Sequence, residues 1–166
     1  TFIKGKLHAD DGRVSLNFTS PRIDAFGNTF SNVALQAANS EPRFTSSVAV
    51  GAIATEYYTL KDLSLTNTSR QDTLFFQLQS KGGTDAADRY NLNLYHTFND
   101  ASKSVVGLKK SSLTFKGNTW LLNKDNTTKN KVILNKTLDS ITIEEVVMDH
   151  NNTEQLRLKG QLADST

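Results

Sequence analysis

The sequence predicts an all-β fold of about ten to twelve strands. Apolar and polar residues alternate with period two in one run after another, so each run offers one apolar and one polar face. Clusters rich in Gly, Asn and Asp separate the runs by roughly 8 to 14 residues, a spacing typical of successive hairpins. Thr, which favours strands, is abundant, and only two prolines, Pro21 and Pro42, interrupt pairing. This pattern suits an elongated sheet as well as a β-sandwich.

The alternating runs succeed one another along the whole chain. The first six lie at residues 14–18, 33–35, 44–50, 63–65, 74–78 and 90–98. The next stretch, "LTFKGNTWLLNKDNTTKNKVILN" at residues 113–135, contains the only tryptophan and predicts two strands around an Asn- and Lys-rich turn. Two further runs, "DSITIEEVVM" and "EQLRLKGQL", complete the pattern. A helix is hard to place in any of these segments.

Length and composition favour one β-rich unit covering residues 1–166, which we expect to be a segment of a larger protein because the chain opens on Thr1 in mid-pattern. The 19 basic and 17 acidic residues give a net charge of only +2, spread along the chain, so nucleic acid is not an expected partner. The absence of cysteine excludes disulfides, thiolate metal sites and cysteine nucleophiles.

No motif predicts catalysis, a cofactor or a metal site. His8 lies near Asp10 and Asp11, but Asp11-Gly12 is a better hairpin turn than a ligand set. The segment "DHNNTE" at residues 149–154 imitates half a calcium loop without its glycine and closing glutamate. The adjacent Glu144 and Glu145 should point to opposite faces of a strand, where they cannot act as an acid–base pair. We therefore expect a protein that is not an enzyme.

The strongest remaining signal is an apolar stripe. One interpretation is the closed inner face of a sandwich, and the other is a curved sheet whose uncovered inner face binds an apolar partner. The candidate lining residues are Val14, Leu16, Phe18, Val33, Leu35, Leu74, Phe76, Leu78, Leu92, Leu94, Leu113, Phe115, Trp120, Leu122, Val132, Leu134, Ile141, Ile143, Leu156 and Leu158.

The C-terminal third of the chain resembles a known family. Residues 113–164 present in order a Phe strand, the Trp strand "NTWLLN", an Asn-rich turn, "KVILN", "LDSITIEEVVM", a polar turn and "QLRLKGQL". This order is similar to that of the TamB proteins of Bacteroidota, within the wider AsmA-like group. The first two thirds are similar in style, with repeats such as "GKLHADDGRVSLNF".

The resemblance implies a β-taco, an elongated, curved, antiparallel or mixed sheet with an apolar inner groove. It also implies a periplasmic segment of a parent protein that is anchored in the inner membrane and works with a TamA-like outer-membrane barrel protein. The implied role is phospholipid transport between the two membranes and outer-membrane protein assembly, with phospholipid acyl chains or nascent outer-membrane proteins as cargo. The alternative is a structural or adhesive β-sandwich repeat of a cell-surface protein.

Overall fold

The structure is a computed structural model that describes residues 1–8, 12–40, 43–99, 101, 103–137, 139–151 and 153–163, without the side chains of residues 8, 40 and 43. The described residues form thirteen strands and one 3₁₀ turn, Thr84–Ala86. The strands are β1 (Phe2–His8), β2 (Arg13–Ala25), β3 (Asn28–Ser40), β4 (Arg43–Ala54), β5 (Thr59–Arg70), β6 (Thr73–Gly82), β7 (Asp88–Phe98), β8 (Ser104–Leu108), β9 (Ser111–Phe115), β10 (Asn118–Leu122), β11 (Lys131–Leu134), β12 (Ser140–His150) and β13 (Glu154–Ala163).

All thirteen strands of the described chain belong to one curved sheet, and consecutive strand positions are antiparallel. The strands fill eleven positions because two positions are each shared by two short strands. β8 and β9 both pair with β7, one after the other, and β10 and β11 both pair with β12 in the same way. The sheet is therefore a simple up-and-down meander from β1 to β13, and it confirms the predicted all-β class.

The predicted hairpin within residues 113–135 is wrong in one respect. The chain reverses at Lys116-Gly117, where both residues have positive φ (48° and 81°) and β9 pairs with β10. The Asn- and Lys-rich segment 123–130 does not pair β10 with β11. It is an insertion within one strand position, so β10 and β11 lie end to end beside β12. Two adjacent turn signals led to the wrong choice of the reversing turn.

The sheet exposes much more surface than a compact protein of its size. Its accessible area is 11328 Å². A typical folded monomer of 18.3 kDa exposes about 8,100 Å². Among the described residues the buried apolar side chains are Val50, Val105 and Leu122. These values fit a single layer without a second sheet packed on it, so the described residues do not form the alternative β-sandwich.

Candidate apolar binding face

The strand register places all twenty predicted lining residues on one face of the sheet. Directly paired residues of an antiparallel ladder project to the same side. The pairing therefore connects side chains from strand to strand, as in one continuous row of Phe18, Leu35, Val48, Leu65, Leu78 and Leu92 across β2 to β7. We call this side the apolar face. The twenty residues share it, while the groove itself stays a prediction.

The same register adds residues that the pattern analysis had not assigned to the lining. Some of these residues belong to alternating runs already described. Val106 was not recognised because it directly follows Val105, and two adjacent apolar residues interrupt the period-two alternation. Gly5 obscured the alternation of β1 in a similar way. The added apolar-face residues are Ile3, Leu7, Phe44, Val48, Val50, Leu63, Leu65, Val106, Leu108, Val146, Met148 and Leu162.

The apolar face is an open surface. On this face of the described chain, Val50 and Leu122 are buried, at 5% and 8% exposure. Most others are half-buried by their own neighbours, and exposure rises toward the two edge strands, reaching 71% at Leu7 and 66% at Leu162. An uncovered apolar surface of this extent normally marks a binding site.

The opposite side, the polar face, is lined mainly by Thr, Ser, Asn and Gln. On β5 the polar-face residues Thr66 and Thr68 are exposed, whereas Leu65 on the other side is half-buried. A shallow depression on this face is lined by small side chains such as Ser15 and Ser47. The polar face thus meets water, and the asymmetry between the two faces identifies the apolar face as the candidate site.

Trp120 lies on the apolar face near one end of the sheet. Its ring stacks on His150 of the neighbouring strand, with ring centroids 5.1 Å apart and an interplanar angle of 26°. Nδ1 of His150 is 2.7 Å from the carbonyl oxygen of Thr119, so the imidazole is fixed in place. Trp120 pairs with Leu113 on its other side. The indole therefore forms part of a continuous aromatic and aliphatic surface.

A polar cluster around the buried Asp88 ties three elements together at that same end. The hydroxyl of Tyr58 donates to Oδ2 of Asp88 at 2.5 Å and lies 2.8 Å from the hydroxyl of Tyr90. The backbone N–H of Lys116 donates to Oδ1 of the same carboxylate at 2.8 Å. These donors hold the pKa of Asp88 below its usual range, and the Tyr58 hydroxyl has the largest effect. The pKa of Tyr58 is raised, mainly because burial disfavours the charged phenolate and next because the hydroxyl donates to Asp88. The cluster is a structural clamp because every group in it is paired.

The acidic residues singled out in the sequence have local partners. A β-bulge between Ile143 and Val146 contains both Glu144 and Glu145, so the expectation that they point to opposite faces is wrong. Glu144 pairs with Lys131 at 3.3 Å, and Glu145 pairs with Arg157 at 3.0 Å. The bulge turns both carboxylates toward basic side chains of the polar face.

The imitation calcium loop also has a structural explanation. Asp149 lies 3.1 Å from Nζ of Lys124 and accepts a 2.8 Å hydrogen bond from Gln155. The described residues contain no group of three or more metal-ligating side chains. Asp10, Asp11 and the His8 side chain lie outside the described part, so the first candidate cluster is not placed.

Comparisons of the chain with family models, with curated proteins and with solved structures find no match. The resemblance to TamB proteins therefore rests on the order of sequence features. Within the described residues no helix is long and apolar enough to cross a membrane.

Proposed function

We propose that this chain binds phospholipid acyl chains on its apolar face, as a periplasmic segment of a TamB-like protein that takes part in lipid transport between the inner and outer membranes. The observation that carries the proposal is the continuous apolar face of a single-layer sheet, on which no other part of the described chain packs. In water such a surface is costly unless something apolar covers it.

The chemistry of the face suits a mobile lipid tail. Its lining of Leu, Val, Ile and Phe offers many equivalent contacts, and polar residues that share the face, such as Asn67 and Ser111, are buried and donate to backbone carbonyls. Each buried acyl CH₂ group gains about 0.8 kcal/mol, so partial burial of a tail offsets much of the cost of removing it from a bilayer. Because this attraction is non-directional, a tail can slide along the face without a deep energy minimum.

The proposal includes the wider roles that the resemblance implies. In the parent protein, an inner-membrane anchor and a TamA-like outer-membrane barrel would place the segment between the two membranes. A second cargo, the extended strand of a nascent outer-membrane protein, is favoured by the edge strands β1 and β13, each of which has one described neighbour in the sheet. Such a strand would add to an edge through backbone hydrogen bonds.

A pair of neighbouring substitutions tests lipid binding. Phe76 and Gln77 are adjacent on β6 but lie on opposite faces, because their partners are Leu94 and Asn93. We expect Phe76→Asp to reduce bound phospholipid at least tenfold, since it places a charge on the apolar face, and Gln77→Asp to leave binding near that of the original chain. Native mass spectrometry after incubation with phosphatidylethanolamine vesicles measures the bound lipid.

Circular dichroism of each variant provides the folding control. Phe76 is only half-buried and the described residues place no second layer over it, so the Asp variant should keep its β-sheet spectrum. Leu92→Gln and Asn91→Gln form a neutral pair of the same design on β7. Lipid-free protein in every sample, or equal binding by the apolar-face and polar-face variants, would refute the proposal.

A further inference from the structure

Two aromatic side chains project into water from one end of the sheet. Alternate turns of a meander lie at the same end, and this end contains the turns at residues 26–27, 55–58, 83–87 and 116–117 and the connection between β12 and β13. We call it the turn rim. Phe26 is 97% exposed and Tyr57 is 88% exposed, the highest values among the exposed large apolar side chains of the described chain. Both lie at the tips of hairpin connections.

Phe26 occupies a backbone position that does not favour phenylalanine. Its φ is 53° and that of Gly27 is 73°, the positive pair of a type I′ turn. Asn, Asp and Gly are the residues preferred there, because an L side chain in this region meets the backbone. The side-chain Nδ2 of Asn28 donates to the carbonyl oxygen of Phe26 at 2.9 Å and fixes the turn. Neither the positive φ of Phe26 nor the almost complete exposure of its ring stabilises the fold, and such a backbone outlier motivates a functional hypothesis.

Tyr57 is presented by an equally well-defined turn. The backbone N–H and hydroxyl of Thr55 both donate to the Tyr58 carbonyl, at 3.0 and 2.8 Å. The Tyr58 side chain is itself held by Asp88. Tyr57 thus points outward from a rigid connection, about 10 Å from the Phe26 turn, which is two strand positions away.

The low charge of the turn rim and its exposed aromatic side chains indicate what kind of partner it binds. The charged residues within the five turns are Glu56, Asp85 and Lys116, so the rim has no basic cluster for an anionic surface. Tyrosine suits the headgroup layer of a bilayer because its ring is apolar and its hydroxyl is polar, and phenylalanine suits the apolar side of that layer, where its ring is buried. The rim is also continuous with the apolar face, since the ring of Phe115 lies 6.4 Å from that of Tyr58.

We propose that the turn rim contacts the interface of a zwitterionic phospholipid bilayer through Phe26 and Tyr57. This contact brings the end of the apolar face to the membrane surface, where lipid enters or leaves. The inference rests on the proposed lipid cargo for its purpose. The contact is reversible, because two aromatic side chains bury far less apolar surface than a membrane-spanning segment does.

Vesicle flotation of single variants tests the contact. Phe26→Asn places a residue preferred at the type I′ position, so the fold is retained while the membrane contact is lost. We expect Phe26→Asn and Tyr57→Ser each to lower the partition coefficient onto phosphatidylcholine vesicles about tenfold. The matched control is Phe98→Asn, because the Phe98 ring is also exposed (61%) but lies at the opposite end of β7. This variant should float with vesicles like the original chain.

Binding of monomeric lysophosphatidylcholine, below its critical micelle concentration, separates this inference from the proposed function. The rim variants should bind this lipid like the original chain but float about tenfold less with vesicles, whereas Phe76→Asp should float like the original chain but bind at least tenfold less of this lipid. Failure of the original chain to float, or flotation of the Phe26→Asn/Tyr57→Ser double variant at the original level, would overturn the membrane contact. A rim that binds only a protein partner would also give one of these results. Either result leaves acyl-chain binding by the apolar face to be judged from its own assay.

Discussion

Asn123 closes the insertion between β10 and β11. It is 2% exposed, and its amide nitrogen donates to the carbonyl oxygens of Leu108 and Thr127, at 2.6 and 3.0 Å. Its amide oxygen accepts from the backbone N–H of Thr127 at 2.8 Å and from Nδ2 of Asn130 at 3.1 Å. Asn130 in turn accepts from the backbone N–H of Val147 at 2.8 Å. Side-chain amides thus replace the ladder hydrogen bonds that the insertion interrupts.

Replacing Asn123 should therefore be costly. Asn123→Ala leaves several buried donors and acceptors unpaired, and we expect the free energy of unfolding to fall by about 2–4 kcal/mol. Asn126→Ala is the matched control, because Asn126 also has positive φ (52°) but is exposed. It should cost about 1 kcal/mol, mostly from backbone strain. Urea denaturation measures both values, and equal losses would show that the buried amide contacts contribute little.

Among the elements, β8 depends on a close approach between a glycine and an aromatic ring. Gly107 pairs with Tyr95 of β7, and a methyl group added to this glycine would lie 1.9 and 2.0 Å from two ring atoms of the tyrosine. The Tyr95 ring therefore occupies the space beside the Gly107 Cα where a side chain would lie. Any larger residue at position 107 must displace it.

A double-mutant cycle tests this packing. We expect Gly107→Ala to lower the free energy of unfolding by about 2 kcal/mol, because the new methyl group overpacks the site. In a Tyr95→Ser background the same substitution should cost less than about 0.5 kcal/mol, since the ring is gone. The cycle is measured by guanidinium denaturation of the four proteins. Additive effects would mean that the ring moves aside without cost.

The sequence predicted the strands better than their connections. Alternation located most strands because period two persists whatever the neighbours are. It did not predict which turn reverses the chain within residues 113–135, since Lys116-Gly117 and the segment 123–130 both carry turn residues. Asn123 and Asn130 look like surface turn residues, and only the position of β12 beside them makes them buried. That long-range contact leaves no local signature.

For the whole molecule, the apolar face was predictable and its uncovered state was not. Side-chain alternation and antiparallel pairing keep apolar residues on one side from β2 to β13, so the twenty candidates share a face. Whether a second layer covers that face depends on contacts between distant strands, and alternating strands form sandwiches and single sheets alike. Pattern alone therefore left both open, and the single-sheet topology with its large surface distinguishes them.

The open sheet has a thermodynamic signature of its own. Because the folded chain exposes 11328 Å² instead of the usual about 8,100 Å² for its mass, unfolding exposes only about four-fifths of the normal new surface. Both the heat-capacity change and the guanidinium m-value scale with that surface, so each should be about four-fifths of the value for a compact 166-residue domain. Small-angle X-ray scattering should give a radius of gyration clearly above the about 15 Å of such a domain. A compact radius together with a full-sized m-value would mean that the sheet closes on its own apolar face in solution, and the face could then receive a lipid only by opening first.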